Sequence, residues 1–426
     1  MSLYATTTFL SVAALCCIAN GAPYCQPEQP ATVGKAIYFL TNGATNGVVS
    51  LPIGNDGMLS KGTITKTGGA GSVSIESATK KPALTDALNS QSSLTIVGKV
   101  SRHVRGLIAY TIGADREQNV FAVNAGSNTL TMLEINPSDP TCLSMVGQPA
   151  AIPGDFPVTT AASAKNNLVC VGTTGAQAGV SCASFSKTQG IGPMDALRRF
   201  DLGQSTPPAG PLNTVSQTFF SNDESMLFTT VKGDPKVNNT GFLSVFNVMP
   251  NGMKDAELST KDIRSSPNGT AVLFGSVPIP GSDDSLFVTD ASFGAAILTL
   301  NKDEQASVAA SQPVEGQKAT CWATISDATQ SAYVTDVARN RVVEMSLQDA
   351  KIIKELDYPD NGDVGLIDLK AAGNFVYALA PGNGSAPAEI MVLDVSGGQG
   401  SMKIVQQFSL DGVATNTAQG MAVLLE

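Results

Sequence analysis

The sequence is poor in the residues on which many catalytic and binding sites depend. It contains a single histidine, His103, and a single tryptophan among 426 residues. One histidine excludes every metal site that needs two histidine ligands. Charged residues make up only 15% of the chain, and acidic residues outnumber basic ones by 36 to 26, for a net charge of -10. A surface for nucleic acid needs an excess of lysine and arginine, so we expect no nucleic-acid partner.

The familiar sequence signatures of catalysis are also missing. There is no Gly-x-Ser-x-Gly elbow, P-loop, His-Glu-x-x-His motif or pair of Cys-x-x-Cys motifs. The glycine-rich stretches alternate with strand-like runs and no helix follows them, which disfavours a dinucleotide fold. We therefore expect no cofactor and no bound metal. The acidic turn at Asp283 and Asp284 could hold calcium, but a solvated turn explains it as simply.

The chain opens with an uncharged apolar stretch, ATTTFLSVAALCCIA, over residues 5–19. Its length is typical of a signal-peptide core and shorter than the ~20 residues that span a bilayer. Small residues stand at the -3 and -1 positions of a cut before Ala22. We predict a signal peptide over residues 1–21, a single secreted domain over 22–426, and no membrane span after cleavage. An N-terminal membrane anchor is the alternative.

Cysteines and glycosylation sequons agree with export. Cys170 and Cys182 lie in two strand-like runs around a glycine-rich turn, and paired strands would place them opposite each other as a disulfide. Five cysteines remain after signal cleavage, so at least one thiol is free or pairs outside the chain. Three Asn-x-Ser/Thr sequons stand in stretches rich in glycine or proline and predict exposed glycosylation at Asn238, Asn268 and Asn383.

A pattern of two β-rich runs around a polar turn recurs seven times. The apolar alternation is close to period two, which indicates strands. Another strand-like run precedes several copies, and a unit of about four strands repeated around an axis predicts an all-β, seven-bladed β-propeller. We expect the C-terminal TAQGMAVLLE to close the ring. A β-sandwich or two all-β domains is the alternative. The copies begin near Ala36, Asn119, Asn167, Ser225, Ser285, Ser331 and Asn374.

The first interval between copies of the repeat is longer than all the others. It measures 83 residues, whereas the others measure 43 to 60. The excess falls on residues 99–114, which contain His103 and can be encoded with intron donor and acceptor sequences at their two ends. The segment is therefore either a genuine insertion or a retained intron, and both interpretations stay open.

The stretch from Gly190 to Phe246 resembles secreted fungal proteins described as 3-carboxymuconate cyclase-like, within the lactonase-type seven-bladed propellers. The runs FAVNAGSNTL and VCVGTTGAQAGVSC fit the same group, and the resemblance covers nearly all of the mature chain. It implies an isomerase that closes a lactone ring on a small carboxylate, or an enzyme that hydrolyses a sugar lactone. Members of the secreted subgroup are also surface antigens without an established reaction.

Candidate site residues are few. The cyclases resembled here use a histidine, but His103 lies outside every matching repeat, so we carry no role over to it. Arg198 could bind a carboxylate, and Lys232 with Asp234 places a cation and an acid on one turn. An exposed connection between blades and a blade-edge turn explain these residues equally well. Trp322, in an inner-strand run, is expected in the core, and Arg339 with Arg341 most simply forms a polar hairpin tip.

Two functions follow as expectations. The first is a secreted lactonase or carboxymuconate-cyclase-like enzyme that acts on a small carboxylate or lactone. The alternative is a non-catalytic extracellular propeller that binds or is displayed at a cell surface, with contact to a cell wall or host. The shortage of histidine and arginine and the acidic balance favour the alternative, because an acidic protein repels multiply charged carboxylates.

Overall fold

The computed structural model describes residues 36–83, 85–97, 118–251, 254–358 and 365–425, and these form seven antiparallel sheets arranged as the blades of a propeller. The seven-bladed propeller predicted from the repeats is therefore confirmed. Each blade has four main strands, here called first to fourth from the axis outward. Each repeat found in the sequence is the hairpin of the second and third strands.

The first three blades occupy the N-terminal half. Their strands, with two short pairing segments, are β1 (Ala36–Leu40), β2 (Gly47–Pro52), β3 (Thr63–Lys66), β4 (Ile75–Glu76), β5 (Leu94–Val97), β6 (Gln118–Asn124), β7 (Thr129–Asn136), β8 (Asp139–Met145), β9 (Ala150–Ala151), β10 (Pro157–Ser163), β11 (Leu168–Thr173), β12 (Gly179–Ser186), β13 (Gly190–Ile191), β14 (Arg198–Arg199) and β15 (Ala209–Gly210).

The remaining blades follow in chain order. Two short 3-10 helices, Pro235–Val237 and Val337–Arg339, lie between strands. The strands are β16 (Val215–Phe220), β17 (Met226–Val231), β18 (Phe242–Asn251), β19 (Lys254–Leu258), β20 (Ile263–Ser265), β21 (Leu273–Pro278), β22 (Ser285–Asp290), β23 (Gly294–Leu300), β24 (Ala306–Pro313), β25 (Thr320–Ser326), β26 (Ser331–Asp336), β27 (Arg341–Ser346), β28 (Ile352–Asp357), β29 (Ile367–Ala372), β30 (Phe375–Ala380), β31 (Glu389–Asp394), β32 (Lys403–Ser409) and β33 (Gln419–Leu424).

The ring closes as expected from the C-terminal run. Strand β33 supplies the first strand of blade 1 by pairing antiparallel with β1, with Ala36 opposite Leu424. The first strands of neighbouring blades contact each other around the ring. The contact between β33 and β5 closes this circle. Closure therefore gives β1 an inner neighbour, as the second strand of every other blade has.

Burial follows the position of each strand in its blade. Second strands such as β11 and β26 are buried along their whole length, so they are covered on both faces and carry mostly apolar residues without alternation. Fourth strands alternate between half-buried and exposed residues, as in β24 and β32, because only one face packs on the neighbouring blade. This gradient explains why the hairpins were visible as repeats and the outer strands were not.

The propeller has two distinct faces. The open face carries the turns between first and second strands, such as residues 221–225. The covered face carries the connections between blades and the turns between second and third strands. On the covered face β4 and β15 pair in parallel and lie beside the axis, where Ser74 donates its backbone N–H to the carbonyl of Ala87 at 2.8 Å.

The predicted disulfide is present. Cys170 and Cys182 are directly opposite in β11 and β12 and form the bond within blade 3. Cys142 and Cys321 carry buried thiols. Asn238 and Asn268 are exposed and Asn383 is half-buried, all three on the covered face, and their glycosylation stays a prediction. Within the ranges given above, no helix has the length and apolarity needed to cross a bilayer.

Candidate functional site

The central channel is filled by the chain itself. Residues 85–93, here called the axial segment, run from the covered face into the axis before β5 begins. Their polar side chains Asn89, Ser90 and Gln91 are nearly or fully buried. A stretch with the composition of an exposed loop therefore occupies the position where a propeller has its channel.

The surrounding blades satisfy the hydrogen bonds of the axial segment. The Gln91 side chain donates to the Ala323 carbonyl at 2.8 Å and accepts the Ala323 backbone N–H at 3.0 Å. The indole N–H of Trp322 donates to the Ser90 carbonyl at 3.1 Å. Ser90 in turn donates its hydroxyl to the Val158 carbonyl at 2.8 Å. Because buried polar groups are costly unless they are paired, these contacts allow the segment to lie inside the protein.

Lys232 lies at the axis, beside this segment. Its side chain is 1% exposed, and Nζ donates to the Asn89 carbonyl at 2.7 Å and to Ser216 Oγ at 3.1 Å. The ammonium also lies 4.5 Å from the centre of the Phe274 ring, which stabilises a cation. Burial lowers the pKa of Lys232 to about 8, against the attraction of Asp86. Lys232 is thus an internal cation, and the blade-edge turn that also explained it from the sequence is wrong.

Two acids accompany Lys232 around the axial segment. Asp86 is half-buried and accepts a hydrogen bond from the Gln419 amide at 3.0 Å. Desolvation raises the pKa of Asp86 to about 7, although Lys232 opposes the rise. Asp368 is fully buried, and burial raises its pKa to about 6 while the backbone N–H groups of Ser92, Leu369 and Met421 stabilise its charged form.

Asp234 and Arg198 do not join Lys232. Asp234 lies on the turn of the covered face, where its carboxylate accepts the backbone N–H of Lys236 at 3.0 Å and caps a 3-10 helix. Arg198, in β14 at the periphery of blade 3, donates to the carbonyls of Ser259 at 2.6 Å and Leu258 at 2.9 Å. The structure therefore disperses the three sequence candidates.

Arg341 is also placed differently from the expected polar hairpin tip. It is 2% exposed, and its guanidinium pairs with Asp336 at 2.9 Å and with Glu355 at 2.6 Å. Trp322 lies in the core as expected, packed edge-on against Phe274 at 4.8 Å. Among the residues that the structure describes, no group of three or more His, Cys, Asp or Glu side chains is placed to hold a metal ion. His103 lies outside the described residues.

A cleft of about 290 Å³ opens beside the axis on the open face, between blades 2, 3 and 4. Most of its lining is polar and uncharged, and its single carboxylate is Glu224. Phe219 and Phe220 lie along the cleft in β16, and the Phe219 ring packs in the core against Phe228. The lining residues are Ser92, Thr95, Thr160, Ala161, Ala162, Thr218, Phe219, Phe220, Ser221, Asn222 and Glu224.

Glu224 is held at the edge of the cleft by its neighbours. Its Oε2 accepts hydrogen bonds from the Ser163 hydroxyl and from the Lys165 backbone N–H, and no described residue bonds to its Oε1. Glu224 has a φ of 59°, a left-handed conformation that non-glycine residues rarely adopt. Nothing in the sequence around Glu224 distinguished it from a solvated turn, so sequence reasoning missed it.

The axial segment contributes to the same cleft. Ser92, near its end, lines the cleft, and its hydroxyl oxygen accepts from Gln217 Nε2 at 3.3 Å, which leaves the hydroxyl hydrogen available to a ligand. Thr160 donates its backbone N–H to the Ser92 carbonyl at 2.8 Å. The inner wall of the cleft therefore depends on where the axial segment lies.

Comparison with solved structures identifies the same class of fold. No protein-family model and no curated protein matches the sequence. The periplasmic gluconolactonase of Pseudomonas aeruginosa superimposes with a TM-score of 0.60 at 12% identity, covering 91% of this chain and 99% of that one. A putative 6-phosphogluconolactonase of Bacteroides fragilis gives 0.48 at 14% identity, over 66% of this chain and 78% of that one.

The fold is thus a seven-bladed propeller that superimposes on that of the gluconolactonase over almost the whole of both chains. At 12% identity this similarity concerns the fold, and functional residues must be argued from this chain alone.

Proposed function

We propose that this protein is a secreted lactonase-type propeller whose ligand is a small, uncharged, polyhydroxylated lactone bound in the cleft of the open face. The observation that carries the proposal is the composition of that cleft, in which hydroxyl and amide groups surround one carboxylate, Glu224. Hydroxyl and amide groups exchange hydrogen bonds with the hydroxyls of a sugar lactone.

The charge of the cleft favours a sugar lactone over a carboxymuconate. A tricarboxylate needs cations to hold it. No lysine or arginine is among the described residues that line the cleft. Lys165, which follows the lining residue Ala162 in the chain, is exposed and donates to the Asp223 carbonyl at 2.7 Å. Together with the net charge of -10, this composition would repel a carboxymuconate. Carboxymuconate cyclisation is therefore the weaker form of the enzymatic proposal.

Hydrolysis in the cleft would need a base and donors to the carbonyl oxygen. Glu224 would accept a proton from a water molecule while the water oxygen bonds to the lactone carbonyl carbon. The ring carbon–oxygen bond then breaks, the departing oxygen takes the proton back, and a hydroxy acid leaves. The Ser92 hydroxyl is one available donor toward the developing oxyanion.

A second function is favoured by a different observation. The two cationic candidates, Lys232 and Arg198, are engaged with backbone carbonyls and do not reach the cleft. A propeller that binds a polyol or glycan without turning it over would need only the hydroxyl and amide groups. In this form the protein would serve as an extracellular binding or surface-displayed propeller, in contact with a cell wall or host surface.

The test is hydrolysis of glucono-1,5-lactone followed by pH-stat near pH 6, with 3-carboxymuconate measured in parallel by ultraviolet absorbance. We expect turnover of the sugar lactone only. The hydrolysis rate should fall at least about a hundredfold in Glu224→Gln, which is the usual scale for loss of a general base. Glu76→Gln, which changes an exposed acid on the covered face, is the matched control and should keep full activity.

The binding form predicts a different result. Folded wild-type protein would then bind the stable lactam analogue of the lactone in calorimetry and show no turnover. Folded protein that shows no binding and no turnover would refute both forms of the proposal. Turnover of carboxymuconate would refute the charge argument.

A further inference from the structure

The axial segment is strained. Three of its non-glycine residues, Asp86, Asn89 and Ser92, have left-handed backbones, with φ of 56°, 54° and 64°. Such conformations persist only where surrounding contacts enforce them, and they concentrate at functional and switching segments. The conformation of residues 85–93 is therefore imposed by the blades around it.

The packing of the segment is also incomplete. Ser93 Oγ and Gln419 Oε1 are buried without a hydrogen-bond partner among the described residues. A Cβ on Gly420 would lie 2.1 Å from Ser93 Oγ, so the final strand approaches the segment as closely as a glycine permits. Unpaired buried polar atoms lower the free energy needed to displace the segment.

The segment joins a cluster of titratable groups to the cleft. Asp86 and Lys232 lie toward the covered face, and Ser92 ends in the cleft wall, with Asp368 accepting the Ser92 backbone N–H. The cleft and this cluster thus share one strained, continuous stretch of backbone.

We propose that residues 85–93 form a pH-sensitive latch that fixes the inner wall of the cleft at mildly acidic pH and loosens toward neutral pH. The latch itself stands on the contacts of the axial segment. Its effect on ligand binding rests on the function proposed above.

The direction of the pH dependence follows from the two buried or partly buried acids, Asp86 and Asp368. Both acids have their pKa raised in the seated segment, mainly by desolvation, to about 7 for Asp86 and about 6 for Asp368. Each acid is therefore better accommodated when protonated, and the seated state weakens as pH rises from about 4 through these values. Lys232 has a lowered pKa and acts in the opposite sense, but only between about pH 8 and 10.5, above the working range.

The charged and titratable groups around the latch come from several elements. They are Lys232 after β17, Asp290 at the end of β22, Cys321 in β25, Asp336 at the end of β26, and Asp368 with Lys370 in β29. Burial and Asp86 raise the pKa of the Cys321 thiol, so it stays protonated throughout the range. The Nζ of Lys370 lies 4.0 Å from Asp368 and lowers the pKa of that acid, but burial outweighs it and the trend is not reversed.

The chain carries its own probe for this motion. Trp322 is the single tryptophan, and its indole bonds to the Ser90 carbonyl of the latch. We would record Trp322 emission and hydrogen–deuterium exchange of residues 86–93 in purified protein at pH 5.5 and 7.5, with β26 as the reference for intrinsic exchange. We expect a red shift and an extra rise in exchange of at least about tenfold, which corresponds to a change of one pKa unit between seated and released states.

Substitutions separate the latch from general loosening. Asp86→Asn replaces the titrating carboxyl group with an amide of the same shape, and should abolish most of the pH response. Asp368→Asn should reduce it in part, and keeps the test available if Asp86→Asn does not fold. Asp283→Asn, an exposed acid on the open face, should leave it unchanged. No extra exchange in the wild type, or the same response in Asp86→Asn as in Asp283→Asn, would overturn the latch.

Ligand binding tests the coupling separately. If the latch and the proposed function both hold, the lactam analogue of glucono-1,5-lactone binds at least about tenfold more tightly at pH 5.5 than at pH 7.5, and it protects residues 86–93 from exchange, because coupling between sites is reciprocal. A pH-dependent exchange without any binding supports the latch and contradicts the proposed function. Binding with no pH-dependent exchange contradicts the latch and leaves the proposed function supported.

Discussion

Replacing Lys232 with methionine tests whether the axis is held by an internal charge. The substitution keeps the side-chain volume but removes two hydrogen bonds, of 2.7 and 3.1 Å, and the cation over the Phe274 ring. It also leaves Asp86 without the cation that stabilises its charged form. Hydrogen bonds to charged groups contribute about 1.5–3 kcal/mol each, so we expect a loss of about 3–5 kcal/mol in the free energy of unfolding at pH 7.5.

The pH dependence of that loss has a fixed sign. Without Lys232, the pKa of Asp86 rises further above its unfolded value. An acid with a raised folded pKa favours the folded state below the unfolded pKa, near 4, and this advantage is lost as pH rises through the folded value. The deficit of Lys232→Met should therefore be smaller at pH 5 than at pH 7.5.

Urea denaturation followed by far-ultraviolet circular dichroism measures both effects. Lys236→Met changes an exposed lysine four residues along the same turn, and should stay within about 0.5 kcal/mol of the wild type. The double variant Lys232→Met with Asp86→Asn removes both charges and should lose less than the sum of the two single losses. A loss below about 0.5 kcal/mol in Lys232→Met, or additive losses in the double variant, would refute an axis that depends on this pair.

Two further predictions concern other parts of the chain. Replacing Cys170 and Cys182 together by alanine should lower the free energy of unfolding by about 3 kcal/mol, because the bond closes a loop with a sequence separation of 12; equal urea midpoints of oxidised wild type and variant would contradict this. Deleting residues 98–114 should preserve the fold and gain about 1–2 kcal/mol of stability, because a much shorter loop then joins β5 to β6. Five other blades make this turn with 2 to 6 residues, and the deletion leaves three; loss of the cooperative thermal transition, or mature transcripts that always encode the segment, would favour a genuine insertion.

The fold could be predicted because each blade repeats the same local signal. Runs such as LFVTD and AYVTD end in a polar turn and continue in a second apolar run, and the register of β22 with β23 and β26 with β27 follows that pattern. The disulfide followed from the same hairpin logic, since Cys170 and Cys182 fall opposite each other once the turn is placed. Short apolar runs on both sides of a turn were sufficient for these features, because the pairing partners are close in sequence.

The candidate site could not be predicted in the same way. Serine and glutamine in residues 90–93 are typical of an exposed loop, and only distant groups, such as Trp322 and Ala323, make their burial possible. Lys232 stands before a Gly-Asp-Pro turn that reads as solvated, yet the turn directs the lysine into the axis. Hydrogen bonds between residues more than 100 positions apart leave no periodic trace in the sequence.

The closure of the ring also orders events in time. Strand β33 is the inner strand of the first blade, yet it is synthesised more than 360 residues after the strand that it pairs with. During synthesis, the inner edge of β1 must therefore remain unpaired until almost the whole chain has emerged. The axial segment emerges early and later bonds to Gln419 within β33. The strand that closes the ring thus packs onto a segment made long before it, so Asp86 and Ser90 gain these two hydrogen bonds only when the ring closes.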